Sequence, residues 1–226
     1  PIWTLAPTAG GTATSRCYED GTLILRTRWE CPSGTVEVID FMPPRGEGAD
    51  VVRIVEGVAG LVELDWTLRL RFDYGRVQPW IRSGTSPTRA TRQASGGRPG
   101  TPKPAHVLSA VAGPDAVWVR SDVAIRHENA VLRASFTVRA GDRTSFVLTH
   151  RPSHLPAPRP LRAEESLART RDFWSGWSDR CTHAGRWSEE VRRSLVLLKA
   201  LTFAPTGGIV AAATTSLPEE IGGVRN

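Results

Sequence analysis

The chain has 226 residues, 40% of them hydrophobic and 23% charged, with a formal net charge of +6 and a sequence pI near 10.0. That balance excludes wholesale disorder and leaves room for one large domain or a domain and a half. No apolar run approaches the roughly 18–20 residues that cross a bilayer, so no membrane partner is expected, and Pro1-Ile2-Trp3-Thr4-Leu5 is no signal peptide.

Lysine occurs only at Lys103 and Lys199, so nearly all the positive charge is arginine. The arginines are spread out among Asp and Glu and form no basic stripe, which argues against a nucleic-acid partner. Cys17, Cys31 and Cys181 form no C-x-x-C pair, and the five histidines are scattered, so neither a metal nor another cofactor is expected. Cys17 and Cys31 could bridge neighbouring strands. The odd count favours free thiols in a reducing compartment, hence a cytoplasmic location.

Short β-strands are predicted at Thr22–Trp29, Thr35–Phe41 and Val51–Glu56. From Leu64 to Phe72 the pattern is clear. Leu64, Trp66, Leu68, Leu70 and Phe72 alternate with Asp65, Thr67, Arg69 and Arg71, giving one buried and one wet face. Residues 82–105 are rich in Ser, Thr, Gly, Pro and Arg and read as a mobile surface loop. A strand at Ala116–Arg120 follows. Leu132, Ala134, Phe136 and Val138 then alternate with Arg133, Ser135, Thr137 and Arg139, a turn falls at Ala140-Gly141-Asp142, and Thr144–Thr149 returns as a hairpin. Each such sheet needs a second apolar layer, so an antiparallel β-sandwich is the expected architecture, in a mainly β chain.

Prolines 152, 156, 158 and 160 disfavour helix and sheet and predict a stiff linker. A helix bearing Leu167, Trp174 and Trp177 on one face comes next. A second starts at Ser188 as N-cap, with Glu189 and Glu190 facing the positive end of the helix dipole. Its stripe is Val191, Leu195, Leu198 and Thr202, widened by Leu201, and Pro205 with Gly207-Gly208 ends it.

Eight tryptophans invite a carbohydrate reading, yet most occupy core-facing positions such as Trp66, Trp174 and Trp177. Glycoside cleavage needs two carboxylates flanking the scissile bond. Glu219 and Glu220 are adjacent, and adjacent residues on a loop normally point apart, so they are not expected to flank one bond. Glu164-Glu165 lie at a helix start, where the dipole alone stabilises them. The residues themselves therefore predict no complete active site.

The run Arg193-Ser194-Leu195-Val196-Leu197-Leu198-Lys199-Ala200-Leu201-Thr202-Phe203, continuing through Pro205-Thr206-Gly207-Gly208 to Thr214-Thr215-Ser216-Leu217-Pro218-Glu219, resembles glycoside hydrolase family 15, the bacterial glucoamylase and trehalase-like group. Three segments resemble that family's trehalase-like N-terminal domain: Asp40-Phe41-Met42-Pro43-Pro44, Val52-Arg53-Ile54-Val55-Glu56-Gly57 and Arg71-Phe72-Asp73-Tyr74-Gly75. The resemblance implies a β-sandwich at 1–151, a Pro-rich and helical linker at 152–187, and the start of a catalytic (α/α)6 barrel at 188–226, whose first helix begins at Ser188. It implies inverting hydrolysis of an α-glucoside in the complete enzyme, with the rest of the barrel as partner. On this reading the chain stops before the segment that grips the terminal glucose and before both catalytic glutamates. No catalytic residue is then expected here, and Glu219, Arg225 and Asn226 would form only the edge of the substrate site. A second reading is a non-catalytic β-sandwich module that binds carbohydrate through Trp3, Trp29, Trp80 and Trp118, or serves interaction.

Overall fold

The structure is a computed structural model, and it describes residues 1–85 and 106–213. These divide into two compact units: Pro1–Glu19 with Ile24–Arg171, and Asp20–Leu23 with the chain from Asp172 onward.

Eleven antiparallel strands dominate the first unit. They are β1 (Ile2–Pro7), β2 (Thr12–Tyr18), β3 (Leu25–Cys31), β4 (Gly34–Phe41), β5 (Ala49–Arg69), β6 (Trp80–Thr85), β7 (His106–Ala112), β8 (Asp115–Ser121), β9 (Arg126–Glu128), β10 (Val131–Arg139) and β11 (Arg143–Pro152). One ladder runs β2-β3-β4-β5-β11-β8-β7-β6. In a second ladder β1 and β10 flank the far half of β5, and β9 pairs with β10.

β5 belongs to both ladders. Its first half pairs with β4 and β11, and its second half, from Leu61, pairs with β10. The sequence shows this strand as two separate runs, Val51–Glu56 and Leu64–Phe72, but the chain continues between them and leaves the sheet at Arg69. Glycines make the changeover possible. A Cβ on Gly57 would sit 2.0 Å from the Arg139 carbonyl oxygen, and Gly60 has φ +67. The freed backbone groups stay paired: Gly57 N–H donates to Asp142 O at 2.9 Å, and Leu61 N–H to Ser33 O at 3.0 Å.

The two ladders bury their apolar faces in one cluster. Val62, Leu64, Trp66 and Leu68 of β5 and Leu132, Ala134, Phe136 and Val138 of β10 meet Val36, Val55, Leu108, Val117, Val119 and Phe146. The period-two reading therefore holds for Leu64–Arg69 and for Leu132–Arg139, whereas Leu70 and Phe72, read as the end of the first run, lie beyond the strand and are only half-buried against the cluster. β1, β2, β6, β7 and β9 carry no such signal. β2 is exposed along its whole length, so no alternation marks it.

A second, smaller cluster lies on the other face of the first ladder. Ile39, Phe41, Val52, Ile54 and Val147 pack with Leu161, and with Ala163 and Leu167 of α1 (Ala163–Ser178). The Pro-rich stretch is tied down rather than free: Arg120 donates to Pro158 O at 2.6 Å, and Arg151 to Pro156 O at 3.0 Å. Ion pairs hold α1 from both sides, Glu164 to Arg143 at 2.6 Å and Arg171 to Glu19 at 2.8 Å. Glu164 and Glu165 are thus stabilised by Arg143 and Arg162 and not by the dipole alone.

The loop expected at 82–105 begins later than its composition suggests. β6 runs to Thr85, because its backbone pairs with β7 whatever the side chains offer. The remainder of that predicted loop, 86–105, lies outside the described residues.

In the second unit, α2 (Ser188–Ala200) follows the end of α1. Trp187 occupies the N-cap position, Ser188 is the first helical residue, and no side chain caps this end. Trp177 Nε1 donates to Leu195 O at 3.1 Å. Lys199 lies 4.9 Å from the centre of the Trp177 ring and Arg180 lies 5.7 Å from it. Arg192 pairs with Asp20 at 3.0 Å, and Arg193 donates to Thr22 O at 3.0 Å. These contacts turn Val196 inward, where it is fully buried, and leave Leu198 exposed. The helix's buried line therefore differs from the stripe of Val191, Leu195 and Leu198 read in the sequence.

Candidate functional site

Glu219, Arg225 and Asn226, the residues expected at the edge of a substrate site, lie outside the described residues.

Most strand carboxylates have cationic or hydroxyl partners. Asp40 takes two hydrogen bonds from Arg53, at 2.6 and 3.1 Å. Arg143 joins Glu56 and Glu164, each at 2.6 Å. Asp65 accepts from Ser135 at 2.6 Å, Asp122 from Ser145 at 2.7 Å, and Asp50 from Thr149 at 2.5 Å. Asp115 contacts His150 Nε2 at 2.8 Å.

Glu19 is a further paired carboxylate, its side chain 15% exposed. Arg26 reaches it at 2.6 Å and Arg171 at 2.8 Å, while Arg26 also pairs with Glu37. Burial alone would raise the Glu19 pKa. The hydrogen bonds from Arg171 and Arg26, with their charge, outweigh burial and hold the carboxyl below its ordinary 4.5. A general acid needs the opposite shift. Glu19 is therefore a structural anion that links β3 and the middle of α1.

A cavity of about 290 Å³ lies under the Pro-rich stretch, lined in part by Glu47, Asp50, Thr149, Arg159 and Arg169. Beside its wall Arg120 is only 8% exposed, and among the described residues its Nε and Nη1 have no hydrogen-bond partner. Burial lowers the Arg120 pKa, and Asp50 opposes that. The guanidinium pins the strap through Pro158 O and is too enclosed to meet a solute.

The aromatics separate sharply. Trp66 and Trp174 are buried, as their stripes predict, and Trp118 is buried too. Trp3 and Trp29 pack against the main cluster, and Arg53 lies 4.7 Å from the Trp3 ring centre. Of the four tryptophans proposed for a sugar platform, Trp80 alone stands clear, at 71% exposure. The Arg82 guanidinium lies 5.4 Å from its ring centre. Tyr74 is 86% exposed on the connection from β5 to β6. That connection closes tightly: Phe72 N–H donates to Val77 O at 3.0 Å and Val77 N–H to Phe72 O at 3.1 Å. Inside it Asp73, Tyr74 and Gly75 all have positive φ, of 46°, 52° and 95°. For the two non-glycine residues this costs on the order of 1–2 kcal/mol each. Sequence patterning missed this turn, although Phe72-Asp73-Tyr74-Gly75 is part of a segment that carried the family resemblance.

Cys17, Cys31 and Cys181 are free. β2 and β3 are neighbours, but Cys17 stands opposite Arg26 and Cys31 opposite Gly34, so register keeps the first two apart. No helix among the described residues is long and apolar enough to cross a membrane.

By sequence, the chain is similar to trehalases. A trehalase of Mycolicibacterium smegmatis is 30% identical, a match covering 98% of this chain and 34% of that protein. A trehalase of Thermoplasma volcanium is 25% identical over 92% of this chain and 31% of its own length. A trehalase of Thermoplasma acidophilum is 44% identical over 73 residues, 32% of this chain and 13% of that protein. The chain thus spans about a third of the length of the first relatives it matches. No protein-family model matches it. Among solved structures, a protein described as a kojibiose phosphorylase from human microbiome aligns with a TM-score of 0.31 and 9% identity, covering 77% of this chain and 23% of that one. That likeness is too slight to bear on fold or function.

Proposed function

We propose that this chain is the non-catalytic β-rich portion of an inverting α-glucoside hydrolase of the trehalase- and glucoamylase-like group. The observation that carries the reading is the match to a mycobacterial trehalase along 98% of the chain. The two ladders that share β5 are then the leaves of a β-sandwich, and α2 is the first helix of an (α/α)6 barrel. Two observations support the second assignment. Leu197 and Leu198 are exposed on α2, and Phe203, Ile209 and Val210 are exposed just beyond it. An apolar surface of that kind suits burial against further helices.

On this reading the acid that protonates the leaving oxygen and the base that activates water come from the rest of the protein. Glu219, Arg225 and Asn226 border the substrate site. The free thiols fit a reducing, cytoplasmic setting.

The test is a pair of assays on trehalose, maltose and soluble starch. One uses this chain alone, the other the protein encoded by the whole reading frame. We expect the chain to be inactive and the whole protein to release β-glucose, seen by proton NMR before mutarotation. Turnover by the chain alone, or a whole protein that cleaves no α-glucoside, overturns the proposal.

A further inference from the structure

We propose that the β5–β6 connection is a sugar-contact element, in which Tyr74 and Trp80 stack on glucosyl units of an α-linked gluco-oligosaccharide. The choice of sugar rests on the function proposed above. The site itself rests on independent observations.

The first is conformational. Asp73 and Tyr74 are held at positive φ, at 46° and 52°, in a turn fastened at its neck by the reciprocal Phe72–Val77 hydrogen bonds. A bulky residue is rarely found there. No hydrogen bond, ion pair or ring contact to the Tyr74 side chain occurs among the described residues. The strain is therefore not offset by packing, and strained backbone of this sort concentrates at ligand-binding positions.

The second is exposure. Trp80 is 71% and Tyr74 is 86% exposed, whereas Trp66, Trp118 and Trp174 are buried. Trp80 begins β6, which ends the first ladder, so its ring stands on a backbone fixed by pairing with Val111 of β7. Arg82 occupies one ring face at 5.4 Å. It orients the indole and leaves the opposite face for the C–H surface of a pyranose. Asp73 and Arg76 flank Tyr74 in the turn, and offer an acceptor and a donor for sugar hydroxyls. A ring with a polar tip and an apolar body suits such a ligand, which is half wet and half apolar.

The experiment uses this chain and the whole protein, with maltoheptaose as probe. Binding is read by tryptophan fluorescence titration and by retardation in gels containing soluble starch. Saturable binding is expected for the wild-type chain. Trp80→Ala and Tyr74→Gly should each weaken it at least tenfold. Trp187→Ala, which alters an exposed tryptophan of the second unit, should leave it unchanged. Tyr74→Gly should also raise the urea midpoint, because glycine accepts positive φ without strain. In the whole protein, Trp80→Ala should raise KM for maltoheptaose more than it changes kcat. No binding by the wild-type chain, or binding that survives Trp80→Ala, overturns the inference. So does a lower urea midpoint for Tyr74→Gly, which would mean that the ring has a structural task. If Trp80→Ala destabilises the whole protein and leaves sugar binding intact, these aromatics contact protein and the inference fails. A whole protein that hydrolyses α-glucosides while these variants bind normally leaves the proposed function standing. One that hydrolyses none removes that function whatever the binding result.

Discussion

Trp66 of β5 and Phe146 of β11 stack with their ring centres 4.9 Å apart and their planes 9° from parallel. One ring comes from each ladder, so this pair joins the two apolar faces at the middle of the main cluster. Phe136 adds a tilted contact to Phe146 at 5.5 Å. Trp66→Ala or Phe146→Ala should cost about 3–5 kcal/mol, as large cavities in well-packed cores do. A double-mutant cycle should find about 0.5–1.5 kcal/mol of coupling between the two rings. Urea unfolding followed by far-UV circular dichroism measures both. A loss below about 1 kcal/mol for either single variant would contradict the packing described.

Gly57 marks where β5 passes between ladders. A Cβ there meets the Arg139 carbonyl oxygen at 2.0 Å and its carbon at 2.6 Å. Backbone cannot swing aside as a flexible side chain can. Gly57→Ala should destabilise by about 1–3 kcal/mol through overpacking. Gly46, where an added Cβ meets nothing within 4 Å, is the control. Gly46→Ala should change the unfolding midpoint little.

The β9–β10 hairpin turns through Asn129 and Ala130, with φ of 48° and 60°. A two-residue hairpin with positive φ at both positions favours Asn-Gly. Asn is already present. Ala130→Gly should therefore stabilise by up to about 1 kcal/mol, the strain relieved exceeding the extra chain entropy lost. Thermal unfolding by calorimetry checks the sign, and a lower Tm for the variant would refute the argument.

Glu19 should make the fold acid-sensitive. Its carboxyl is held below 4.5 by Arg171 and Arg26. A carboxyl with a depressed folded-state pKa contributes stability that is fully present above the unfolded value. That stability fades as pH falls through the folded value. Between pH 7 and 5 wild type and Glu19→Gln should lose little stability, with the variant weaker throughout. Below about pH 4.5 the wild type should lose stability faster, so that the gap narrows. Urea midpoints measured from pH 7 to pH 3 test this, and a constant gap would count against it.

Period-two alternation marked Leu64, Trp66 and Leu68 and, separately, Leu132, Ala134 and Phe136 as buried faces, because a strand with one wet and one dry face writes that division into its side chains; that the two segments pair with each other came from the structure. Spacings of seven and three likewise assigned Leu167, Trp174 and Trp177 to one helix face. The family resemblance was also legible, since it depends on the order of residues and not on their contacts. Edge strands such as β2 were not legible. Backbone hydrogen bonds hold them, and these leave no mark on an exposed side-chain pattern.

By itself, the sequence determined that the chain is mainly β with helices toward its end, which alternating segments become core, and which enzyme group it resembles. Only the tertiary structure decided that Val51–Glu56 and Leu64–Phe72 are one strand serving two ladders. That depends on backbone passing within contact distance at Gly57, a condition set by residues such as Arg139 far along the chain. It also decided that Glu19 is neutralised by Arg26 and Arg171, and that of four candidate tryptophans Trp80 stands open. Burial and ion pairing belong to neighbours distant in sequence, so local pattern carries no record of them.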